Sequence, residues 1–166
     1  MTPEIAEYHR AMLMVGMQDR FYRDFDTALE NENPLSDLML SLCTCVSDMN
    51  QVISILHEYT LDHKINEQKV YDLILDDIRS RYLNGELSRT QVVSTLYSIL
   101  QCLNKFWDDP WHQFSYLTYD LELWEDGLIA EEVFIKCFDA WFFRGEHLSA
   151  WDLQRELNNR TNKPKK

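Results

Sequence analysis

Residues 35–59 read LSDLMLSLCTCVSDMNQVISILHEY. Leu35, Leu38, Leu42, Cys45, Met49, Val52, Leu56 and Tyr59 follow one another at alternating steps of three and four. Those steps keep them on one side of a helix with 3.6 residues per turn, whereas a strand needs alternation at every second residue. Met39, Val46 and Ile53 broaden the stripe into a face wide enough for a globular core. Packing against other helices accounts for this pattern without any cofactor.

Outward from this stretch the chain keeps reading as helix. Thr2-Pro3 places a cap residue before a proline at the first helical position. Ile5, Tyr8, Met12, Val15, Asp19 and Tyr22 then track one side as far as the stop at Asn31-Glu32-Asn33-Pro34. Four later connections share one design: an aliphatic residue, a small residue able to cap, and an apolar residue four positions on. They run Ile65-Asn66 to Val70, Leu87-Ser88 to Val92, Ile129-Ala130 to Phe134 and Leu148-Ser149 to Leu153. Asn84-Gly85, Asp126-Gly127 and Arg144-Gly145 precede three of them, where glycine can take the left-handed angles that close a helix. The corners predict helices over 66–83, 88–106, 110–126, 130–143 and 149–159, with Asp109-Pro110 opening the third of these. The expected architecture is all-α: an irregular bundle or array of six to seven helices joined by tight corners. Residues 1–159 read as a single domain because no linker interrupts them, and 160–166 as a basic, frayed tail.

Composition narrows the function classes. A chain of 166 residues that is 45% hydrophobic has enough apolar surface for a core. Only 4 glycines and 4 prolines argue against a turn-rich all-β fold. Lys and Arg number 16 against 28 acids, a formal charge of −12, which disfavours nucleic acid and anionic membrane as partners. The start, MTPEIAEYHRAM, lacks the apolar centre of a signal sequence and no run is long enough to span a bilayer, so the expected compartment is the cytoplasm. There Cys43, Cys45, Cys102 and Cys137 are expected to be reduced and buried. Cys43 and Cys45, two apart on a helix, face away from one another and cannot ligate one metal together.

Motifs for chemistry are missing. Glu122 to Val133 imitates a calcium loop around Asp126-Gly127, but Trp124 and Val133 stand where the third and twelfth ligands belong. No Glu-x-x-His occurs for a di-iron site, and no two histidines are spaced three or four apart. A nucleophile elbow, a phosphate-binding loop and a dinucleotide fingerprint are all absent. Arg89-Thr90-Gln91 superficially suits a DNA-reading helix, against the acidity of the whole chain. The reading is therefore a non-enzymatic protein with no cofactor, metal or named catalytic residue.

The distribution of charge carries the positive signal. No Lys or Arg falls between Arg23 and Lys64, or between Lys105 and Lys136, and these two windows hold sixteen of the 28 acids. The last seven residues hold four of the bases, so the folded body is more acidic than the whole. Segregated charge steers a cationic partner. The second window also carries Trp107, Trp111, Phe114, Tyr116, Tyr119 and Trp124, and aromatic residues among acids suit interface anchors. Asp108, Asp109, Trp111, Asp120, Glu122, Glu125 and Asp126 are the candidate partner-binding residues. At the level of class, a small acidic chain of this kind resembles the immunity proteins that bacteria make against nuclease toxins. That likeness implies a basic toxin domain as partner. Two alternatives stay open: a helical enzyme with an acid-lined pocket, and a structural or adaptor homodimer joined through the seam around Leu42, Met49 and Leu56.

Overall fold

The structure is a computed structural model and describes residues 1–161; the tail residues 162–166 lie outside the described residues. Among the described residues there are nine α-helices and no strand. They are α1 (Pro3–Met14), α2 (Asp19–Asn31), α3 (Asp37–Cys45), α4 (Met49–Leu61), α5 (Glu67–Leu83), α6 (Arg89–Leu103), α7 (Phe114–Glu125), α8 (Glu131–Arg144) and α9 (Ala150–Thr161), with a 3-10 turn at Trp111–Gln113. The all-α class holds. None of the helices is long and apolar enough to cross a membrane.

The expected six to seven helices undercount the nine for two local reasons. Gly16, at φ +80, turns the chain after Met14 and separates α1 from α2, which had read as one element. Asp48 breaks the 35–59 stretch: its Oδ1 accepts from the backbone N–H groups of Asn50 and Gln51 at 3.1 and 3.3 Å and opens α4. A side chain that satisfies the free amides of a helix start also ends what precedes it. The four corners fall where they were read. Asn66 caps α5 at Lys69 and Ser149 caps α9 at Asp152. At α6 the Ser88 hydroxyl accepts from Gln91 N–H while the Gln91 side chain accepts from Ser88 N–H, a reciprocal cap. Three ends move: α6 stops at Leu103, before Asn104 at φ +53; Pro110 opens only the 3-10 turn, so that α7 starts at Phe114 rather than at 110; and α9 runs through Arg160 into Thr161.

Two compact units divide the chain, Met1–Ser80 with Gln101–Asn104, and Arg81–Leu100 with the chain from Lys105 on. Their boundaries fall inside α5 and α6 rather than at a linker. In the first unit α4 packs along α1 and α3 packs on α4. Phe21, Leu38, Met39, Leu42, Val52 and Leu56 form its core, so the seam residues Leu42 and Leu56 are consumed within the chain. In the second unit α7 packs on α8 and α8 on α9. Phe134, Phe138 and Phe142, four apart on α8, are buried with Trp111, Phe114 and Trp141. Cys45 and Cys137 are buried as expected, Cys102 is half-buried, and Cys43 is exposed on the opposite side of α3 from Cys45.

Candidate functional site

The second acid-rich window folds into a loop, the 3-10 turn, α7, the corner at Asp126–Ala130 and the start of α8. Two of its seven candidate residues are not on the surface. Trp111 is 1% exposed. In a 3-10 turn residues three apart eclipse one another, so Trp111 lies above the fully buried Phe114, edge-on with centroids 6.0 Å apart. Asp120 is 4% exposed, because it shares the inner face of α7 with Leu117 and Leu121. Burial pushes its carboxyl up to about 6, partly opposed by a hydrogen bond from the Cys137 thiol. That thiol is itself raised to about 12, by burial first and by the Asp120 charge second. These two residues cannot meet a partner protein; the expectation that they do is corrected.

The other five are exposed and fall into two groups. Asp108 and Asp109 precede the 3-10 turn and have local partners: Lys105 Nζ is 3.4 Å from Asp108 Oδ2, and His112 Nδ1 is 2.8 Å from Asp109 Oδ1. Glu122, Glu125 and Asp126 lie at the other end of α7, whose 12 residues rise about 18 Å. Spaced three and four apart, these three share one side of the helix end. Each is exposed and makes no ion pair among the described residues, and α7 has no base in its last turn. Gly127, at φ +70, then turns the chain, Leu128 stands 51% exposed at the tip, and Glu131 and Glu132 begin α8. Five exposed carboxylates without an ion pair among the described residues therefore surround one helix corner. Of the six aromatic residues of this window, Trp107 is 94% exposed and Tyr119 half-exposed, whereas Trp111 and Phe114 are buried; the half-exposed Trp151 of α9 donates its indole N–H to the Tyr119 hydroxyl at 3.2 Å.

The two ends of this corner are electrostatically unlike. Glu131 and Glu132 sit at a helix N-terminus, where the partial positive charge of the free amides favours carboxylates. Glu122, Glu125 and Asp126 sit at a C-terminus, where the exposed carbonyls disfavour them. Folding accounts for the first pair and opposes the second group.

The first acid-rich window behaves differently, and in it the structure assembles a group that the sequence did not suggest. His9 of α1 is 1% exposed, with Nε2 3.1 Å from Asp24 Oδ2 of α2. Arg20 reaches Asp77 of α5 at 3.3 Å, lies 3.8 Å from Asp24, and holds its guanidinium 5.2 Å from the centre of the Tyr8 ring. Burial, reinforced by Arg20, holds the His9 imidazole down at about 4, despite the opposing pull of Asp24. Asp24 and Asp77 do face a common recess of ≈ 440 Å³, but Arg20 and Arg23 line it with them. The result is a charge-compensated junction of three helices rather than an acid-lined pocket. No signal in the sequence pairs residues 57 apart.

Comparison with known protein families, curated sequences and solved structures finds no match to this chain.

Proposed function

We propose that the chain is a non-enzymatic binding protein whose acidic corner docks a basic protein surface, in the manner of an immunity protein that neutralises a cationic toxin domain. The observation that carries this reading is the placement of Glu122, Glu125 and Asp126 at the C-terminal end of α7, exposed and without a cation among the described residues. Carboxylates there oppose the helix dipole and repel one another, so folding alone gives no reason to gather them. A partner that supplies Lys or Arg offsets both effects and is also drawn in from a distance. Exposed Leu128 adds an apolar contact at the centre of the charged rim.

The test is retention of a basic protein from the source cells at low and at high salt, comparing the natural chain with E125K/D126K. A basic protein held at low salt, released at high salt and lost by the variant supports the reading. Equal retention by both forms, or no basic protein at all, overturns it. The immunity reading adds a growth test: the captured protein, expressed alone, arrests growth, and co-expression of the natural chain, but not of E125K/D126K, restores it.

A further inference from the structure

The second unit holds a recess of ≈ 300 Å³ whose walls include Tyr82, Arg89, Thr90, Trp124, Glu131 and Phe134. Its volume is at the small end of sites that hold a metabolite. The half-buried Trp124 indole gives it an aromatic side and is backed by the buried Phe134 ring stacked on it, with ring planes 4° apart and centroids 5.1 Å apart. Its cation is fixed in place: the Arg89 guanidinium lies 5.9 Å from the Tyr82 ring centre and 5.8 Å from that of Phe138. Asp139 Oδ1 stands 3.6 Å from Arg89 Nη2, beyond hydrogen-bond length, so the guanidinium is oriented without being fully used. Arg89 Nε and Asp139 Oδ1 are both shielded from solvent and neither has a hydrogen-bond partner among the described residues. Glu131, on the same recess, is exposed and makes no ion pair with Arg89 or any other base among the described residues.

A small recess thus presents a positioned cation, a separate free carboxylate and an aromatic wall. A simple anion is repelled by Glu131 and a simple cation by Arg89. A molecule that carries both charges beside a flat apolar body meets all three surfaces. We infer that this recess binds a free amino acid with an aromatic side chain. Its carboxylate meets the Nη end of the Arg89 guanidinium, its ammonium faces Glu131, and its ring lies against the Trp124 indole. Binding here needs no macromolecular partner and goes beyond the docking role of the corner.

The experiment titrates L-phenylalanine, 3-phenylpropionate and 2-phenylethylamine into the full chain by calorimetry and by proton–nitrogen NMR, following the Trp124 indole. For a ligand of this size the expected dissociation constant is in the range of ~0.1–1 mM. Each analogue, lacking one charge, should bind about tenfold more weakly. E131Q should lower L-phenylalanine affinity to the level of 3-phenylpropionate, and R89M to the level of 2-phenylethylamine. Circular dichroism checks that both variants fold, and E131Q, on an exposed helix start, keeps the test open if R89M does not. Saturable binding with this pattern supports the site. No shift of the Trp124 indole at millimolar L-phenylalanine, equal binding of all three compounds, or unchanged affinity in E131Q overturns it.

Discussion

Asp120 carries its charge into a place that excludes water. Its folded pKa of about 6 lies above its ordinary value of 3.8, so the folded state prefers the protonated form. The stability this gives is fully present below pH 3.8 and is lost as pH rises through about 6. A gap of about two pH units corresponds to roughly 3 kcal/mol between the two limits. D120N keeps the shape and an acceptor for the Cys137 thiol without the charge. Urea unfolding should therefore give nearly equal midpoints for D120N and the natural chain near pH 4, and a variant more stable by about 2–3 kcal/mol at neutral pH. Equal stabilities at neutral pH would contradict a buried charge at this position. Asp120 also shows what a sequence hides at this scale. Its helical phase with Leu117 and Leu121 was readable, yet a carboxylate among acids reads as surface unless the phase is trusted over the charge. Trp111 was not readable, because the 3-10 turn before α7 shifts the phase by an amount that no residue type announces.

At the scale of the element, the corners were legible because each is a local device. A left-handed glycine, a capping side chain and a flanking aliphatic lie within a few residues and need nothing distant. The division of 35–59 into α3 and α4 was legible in principle, since Asp48 is a cap residue, but the apolar stripe runs unbroken across it and outweighed the signal. The end of α7 makes the sharper prediction. Replacing Glu125 and Asp126 by their amides removes two charges that oppose the helix dipole, each worth about 0.3–1 kcal/mol at low ionic strength. E125Q/D126N should therefore raise stability by about 1 kcal/mol in thermal or urea unfolding, and added salt should shrink the gain. The corresponding amides at Glu131 and Glu132, at a helix start, should lower stability by a similar amount. Opposite signs from residues so close in sequence separate dipole from general repulsion.

For the whole molecule, 28 acids against 16 Lys and Arg make self-repulsion the dominant long-range term. Melting temperature should rise with added sodium chloride, most steeply below physiological ionic strength, where the screening length exceeds about 8 Å. A fall in melting temperature with salt would mean that local pairs such as Arg20–Asp77 outweigh the net charge. Much of what bears on function at this scale could not be read from the chain. The group of His9, Arg20, Asp24 and Asp77 and the recess of Arg89, Trp124 and Glu131 join residues from separate helices. Helical periodicity says which side of a helix faces inward but not which neighbour it meets. The exposed acids at 122–132 were legible because they lie within eleven residues of one another in sequence and flank one corner of the fold.

Trp107 stands almost fully in solvent directly before Asp108 and Asp109, while Trp111 and Trp141 are sealed in the interior. Its fluorescence is thus an optical gauge of local potential, since ionic quenchers must approach through the field of those carboxylates. Caesium should quench the exposed fraction of the emission more effectively than iodide at equal ionic strength, and W107F should reduce the difference to what the half-exposed Trp151 contributes.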